Sequence, residues 1–155
     1  MILSRKATKS LSQQIYIQLK GITIPKLSSI KYLGLTIDND LSWKSHITNQ
    51  RRKAFSNIRR LSPCLQHTTR KILYNTLVLP HMDYCSVVWH SCSRQLSQFI
   101  ERVQNYWMRV VLDKPPGTPS APLRDQLKWT TLHHRRHNFM LTQVHRCLLN
   151  KLHPT

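Results

Sequence analysis

The apolar residues of this 155-residue chain change their spacing once, at residues 38–43, and that change limits the possible folds more than any other feature. Before it they come in short runs: Ile2-Leu3, then Ile15, Ile17 and Leu19, then Ile22 and Ile24, then Tyr32 to Ile37. An apolar period of two places alternate side chains on one face of a strand. Gly21 suits a turn, Pro25 with Ser28-Ser29 suits a second connection, and a small antiparallel hairpin or three-stranded sheet is expected. Strands this few do not stand alone. After the Asp38-Asn39-Asp40 turn the period becomes 3.6, with Ile47, Ala54, Phe55, Ile58 and Leu61 on one face of a helix of roughly four to five turns that Pro63 closes.

Further helices follow. One is expected from Thr68, carrying Ile72, Leu73, Leu77 and Val78 to Pro80. Beyond that proline, Tyr84, Val87, Val88 and Trp89 continue an apolar face as a kinked or restarted helix. Ser93 is a good N-cap for the clearest helix, whose stripe runs through Leu96, Phe99, Ile100, Val103, Trp107, Val110 and Val111. Four prolines and a glycine within 114–122 mark a linker and subdomain boundary. Leu123 and Leu127 then mark a short helix, and Leu132, Phe139, Met140, Val144 and Leu148 a long one. The fold class is α+β, mostly α: a β element over 1–40, a helical bundle over 41–113, the linker, and a C-terminal helical extension over 123–155. Trp43, Trp89, Trp107 and Trp129 lie on or beside apolar stripes, which makes core packing the expected role of at least three.

Lysine and arginine number 24 against 6 acids, a net charge of +18, and a polyanion is the partner that relieves such self-repulsion. Nucleic acid is the first candidate; a membrane surface would need an apolar face that the core already uses, and no run reaches the ~18 apolar residues of a span. With no secretory signal at Met1–Ser10, the expected compartment is intracellular. Lys44, Arg51, Arg52, Lys53, Arg59 and Arg60 crowd the first helix with no acid among them, which points to phosphate contact over an ordinary solvated face. His133, His134, Arg135, Arg136 and His137 begin the last helix, where the macrodipole disfavours cations. Phosphate binding explains that placement, and so does pairing of Arg135 or Arg136 with Asp125 or with the preceding helix's carbonyls.

Chemistry is sparsely provided for. Asp38 and Asp40 are the only close carboxylate pair, and in a polar turn before a helix they suit turn and cap roles better than two-metal catalysis. Cys64, Cys85, Cys92 and Cys147 lack paired zinc-ribbon spacing and are expected as free thiols. His133 and His137 at i, i+4 lack the intervening Glu and a convincing second pair, so no metal site is expected. Three glycines leave no phosphate-binding loop.

Four blocks in order resemble the reverse transcriptases of LINE-type, jockey-like non-LTR retrotransposons. Lys31-Tyr32-Leu33-Gly34 with Asp38, Leu41, Trp43 and His46-Ile47 is similar to their K-Y-L-G-V-x-[IL]-D-x-x-L-x-W-x-x-H-I run. Leu73-Tyr74, Leu79-Pro80, Tyr84 and Trp89 resemble a second segment, Gln104-Asn105 with Arg109 a Q-N-x-x-x-R, and Leu127, Trp129, Leu132 and Arg135-Arg136 the later L-G-W-x-x-L-x-x-R-R, with Lys128 in place of the glycine. The resemblance implies the end of a palm with its primer-grip hairpin at Tyr32, Leu33 and Gly34, then a helical thumb. It implies RNA template and DNA primer or cDNA as partners. The family's Y-A-D-D box, first palm aspartate, fingers and endonuclease have no match, so the chain is expected to be an inactive fragment that lacks its parent palm and fingers. It needs no cofactor of its own; Mg²⁺ belongs to the full-length polymerase. A freestanding basic helical binder of RNA or DNA is the alternative.

Overall fold

A computed structural model describes residues 17–25, 27–56 and 65–152. The strand expectations at Ile2-Leu3 and Ile15, and those for Ile58, Arg59, Arg60, Leu61, Pro63 and Cys64, lie outside the described residues. A small antiparallel β element precedes a helical bundle, and the fold is α+β, mostly α. The chain divides into two compact units, Met1–His46 and Ile47–Thr155.

Among the described residues the first unit holds two separate hairpins in place of one sheet: β1 (Gln18–Leu19) with β2 (Ile22–Thr23), and β3 (Ser29–Tyr32) with β4 (Leu35–Asp38). Each turns through two residues at positive φ, Lys20-Gly21 at 49° and 78° and Leu33-Gly34 at 44° and 80°. Both central residues at positive φ make the type I′ turn that matches strand twist. The apolar run from Tyr32 to Ile37 is therefore folded back on itself, with Tyr32 opposite Leu35 and Ser29 opposite Asp38. Of the hairpin residues, Leu35 is buried, whereas Leu19, Ile22 and Tyr32 are exposed. Asp38 accepts hydrogen bonds from the Ser42 backbone N–H and hydroxyl, both at 2.6 Å, and so fixes the turn that enters the next helix.

That helix, α1 (Lys44–Ser56), carries the chain into the second unit. There α2 (His67–Leu73) runs through a π-helical turn (Tyr74–Val78) into α3 (Leu79–Asp83). Pro80 does not stop the helix, because the wider turn ahead of it, with Leu79 N–H bonded to the Tyr74 carbonyl, absorbs the lost donor and the ring's bulk. The expected kinked or restarted helix carrying Tyr84, Val87, Val88 and Trp89 beyond Pro80 is corrected: α3 ends at Asp83, Cys85 takes a φ of 48°, and residues 84–91 form successive turns. Trp89 is pinned inside by its indole N–H to the Tyr84 carbonyl at 3.0 Å. The Ser93 side chain caps α4 (Arg94–Val111) by accepting from the Leu96 N–H, as its position predicts.

α4 is the organising helix: Ile100, Val103, Gln104, Trp107, Met108 and Val111 are buried along it. Across the Pro-rich segment, Met108 and Val111 share a cluster with Leu123 and Leu127 of α5 (Ser120–Leu127). Lys128 ends α5 in the left-handed conformation, φ 54° and ψ 40°, a backbone that glycine adopts without strain. The last helix, α6 (Leu132–Leu152), buries Leu132 but leaves Phe139, Val144 and Leu148 exposed. Trp43, Trp89 and Trp107 are buried and Trp129 is half-buried, stacked on Tyr74 at 4.2 Å.

Candidate nucleic-acid interface

The tip of the β3–β4 hairpin presents Tyr32 at 61% and Leu33 at 73% exposure beside Gly34. Leu33 bears two costs at once, a left-handed backbone and an apolar side chain in water. Such a residue suits a tip that meets another surface.

The cations of α1 do not share one environment. Lys44, Arg52 and Lys53 are exposed. Arg51 instead lies over the Phe99 ring at 4.0 Å and the Phe55 ring at 5.3 Å, with its Nε buried. The sequence pattern set Arg51 outside the apolar stripe; its aliphatic stem and flat guanidinium let it close the stripe's edge. Phe55 packs in turn edge-on against Tyr106 at 5.1 Å.

The basic start of α6 resolves into structural contacts that neither sequence reading named. Arg135 forms a bidentate pair with Asp83, at 2.6 and 3.2 Å, and not with Asp125. Arg136 is 2% exposed, donates to the Ser97 hydroxyl at 2.7 Å and sits over Trp89 at 5.2 Å. Burial holds its pKa below the usual arginine range. Glu101 reaches from α4 to accept the backbone N–H groups of Leu132 and His133 at 3.3 and 2.6 Å. This carboxylate caps the helix and offsets the cations that the macrodipole disfavours.

Asp83 and Glu101 were missed by pattern reasoning because their partners lie 52 and 31 to 32 residues away. The available signal was scarcity. In a chain with six acids, each carboxylate is a strong candidate for a structural cation or an uncapped helix.

Asp38 is occupied with Ser42, and among the described residues no group of three or more His, Cys, Asp or Glu is placed to hold a metal ion. A cavity of about 140 Å³ is lined by Tyr74, Gln104, Lys128, Trp129 and Arg135. Burial pushes the Tyr74 hydroxyl above the ordinary phenol range, with the Gln104 amide opposing, so it remains protonated at neutral pH and is a poor base. Among the described residues no helix is long and apolar enough to cross a membrane.

The chain is 25% identical over 150 residues to a probable RNA-directed DNA polymerase from transposon BS of Drosophila melanogaster, an alignment covering 89% of this chain and 17% of the relative. It is 27% identical over 96 residues to a retrovirus-related Pol polyprotein from the type-1 retrotransposable element R1 4 of Nasonia vitripennis, covering 58% of this chain and 24% of the relative. These are distant, partial similarities to retrotransposon Pol proteins, and the chain spans less than a quarter of either relative's length. No family model and no solved structure matches the chain.

Proposed function

We propose that this chain is a template-primer-binding piece of a retrotransposon reverse transcriptase, one that grips nucleic acid and does not carry the catalytic carboxylates. The observation that supports this most is the similarity, running along 89% of the chain, to a protein named as an RNA-directed DNA polymerase. The charge of +18 agrees with a phosphate-bearing partner. In this reading Tyr32, Leu33 and Gly34 meet the primer strand through the exposed hairpin tip. Lys44, Arg52 and Lys53 contact phosphates from α1, together with Arg59 and Arg60 from the sequence pattern. Arg51, Arg135 and Arg136 drop out of that set, because each guanidinium is occupied by an aromatic ring, a carboxylate or a hydroxyl.

The test is fluorescence anisotropy on three labelled probes of equal length: a DNA primer annealed to an RNA template with a recessed end, a blunt hybrid and a single strand. The reading expects several-fold tighter binding at the recessed junction, and loss of that preference in Leu33→Ser with duplex binding intact. Equal affinity for all three would reduce the chain to a general basic binder. The full-length polymerase would supply Mg²⁺ and its ligands, so the chain alone should not extend the primer.

A further inference from the structure

The connection after α4 forms a groove that the proposed interface does not use. Its cavity of about 360 Å³ is lined by Arg70, Tyr106, Arg109, Val110, Asp113, Lys114 and Pro116. That size lies at the small end of ligand pockets, ~300–1,000 Å³. The groove is built. Arg70 crosses from α2 to donate to the Val110 carbonyl at 2.9 Å and to Asp113 at 3.1 Å, with its side chain 11% exposed. Arg109 holds the far side through Nε to the Thr118 carbonyl at 2.9 Å. Tyr106 is braced edge-on by Trp107 at 5.8 Å and by Phe55.

These contacts leave a specific chemistry over. Asp113 is neutralised by Arg70, and the exposed Lys114 and the terminal nitrogens of Arg109 remain as positive charge at the edge. Val110, Pro116 and the Tyr106 ring supply an apolar wall. Inorganic phosphate would leave the wall unused, and a neutral apolar ligand would leave the cations unpaired. A molecule that is flat and apolar at one end and anionic at the other uses both. A duplex keeps its bases stacked inside, so only an unpaired nucleotide can offer its base to a single aromatic side chain.

We propose that this groove receives one unpaired nucleotide of a single-stranded nucleic acid, with the base against Tyr106 and the backbone phosphate at Arg109 and Lys114. The proposal rests on the nucleic-acid reading above and adds a second, single-strand site to it.

The test irradiates the full chain bound to a 5-bromouracil-substituted oligodeoxynucleotide and to its RNA counterpart, then maps the adduct by mass spectrometry after digestion. An adduct on Tyr106, in the tryptic peptide spanning 103–109, is the expected result. Lys114→Ala should lower the magnitude of the salt slope for single strands by about 0.7, the value of one phosphate contact, and leave the slope for a blunt duplex unchanged. Tyr106→Leu should weaken single-strand binding on the order of ten- to a hundredfold. Because Tyr106 also packs on Phe55 and Trp107, that variant is informative only with unchanged circular dichroism, and the adduct map and Lys114→Ala stand without it. Tight binding with adducts only elsewhere and no Lys114→Ala effect overturns the groove and leaves the nucleic-acid reading intact. No binding of any strand at low salt overturns both.

Discussion

Lys128 holds a backbone conformation that its side chain resists, and His90 is kept neutral further into the acid range than a free imidazole. Lys128 closes α5 at φ 54°, where a Cβ meets the backbone and glycine does not. Its side chain is exposed, so little packing compensates. Lys128→Gly should stabilise the helical unit by about 1 kcal/mol, less the entropy glycine regains when unfolded, and raise the midpoint of urea unfolding. His90 has a buried Nδ1 with Arg136 near it; burial first, then that guanidinium's charge, lower its pKa, and burial with Lys53 lowers that of His81. Both imidazoles are thus more readily protonated in the unfolded chain. Their contribution to stability is complete above the unfolded value of about 6.5 and is lost as pH falls through that value toward the lower folded ones. Melting temperature should drop between pH 7.5 and 5.5, above the range where ordinary carboxylates titrate, and His90→Gln should make the drop shallower. An unchanged drop in that variant would place the acid sensitivity elsewhere.

Elements read well from periodicity where the chain packs on itself regularly and poorly where a local device intervenes. Ser93 and the stripe from Leu96 to Val111 predict α4 because a cap and a 3.6 period are both local signals. The turn at Leu33-Gly34 escapes alternation, since a two-residue hairpin keeps alternating across its own turn, and a leucine is an unusual residue for positive φ. The continuation past Pro80 depends on a π-turn with no composition of its own. At the start of α6 the decisive residue is Glu101, on another helix. Glu101→Gln keeps the shape and one acceptor oxygen but removes the charge, and should cost about 1 to 2 kcal/mol, measured by chemical denaturation. α1 separates charge from packing differently. Arg52→Ala with Lys53→Ala should preserve helical circular dichroism and lower the magnitude of the log affinity against log salt slope by roughly 1.4 to 1.8. Arg51→Ala should instead destabilise, because that side chain lies against Phe55 and Phe99.

Across the whole molecule the scarce acids are mostly committed to holding the fold together. Asp38 fixes the turn before α1, Asp83 pairs with Arg135, Glu101 caps α6 and Asp113 pairs with Arg70. Four of six carboxylates are therefore structural, and most of the 24 Lys and Arg residues have no acid to pair with. The candidate interface was legible in outline for this reason, since composition alone reports surplus charge. Which cations the fold commits to structural contacts was not, because Arg51, Arg135 and Arg136 differ from Arg52 only in what the fold brings beside them. The surplus has two consequences of opposite sign. Added salt screens repulsion within the folded chain, which should raise its melting temperature. The same salt removes the gain from releasing counterions, so affinity for nucleic acid should fall on the order of a hundredfold or more between about 50 and 200 mM if several phosphates are neutralised. Measured on one preparation, the two curves should cross in direction: stability up, binding down. A binding curve that stays flat while stability rises would mean the positive charge repels itself without serving a polyanion, and the nucleic-acid reading would fail with it.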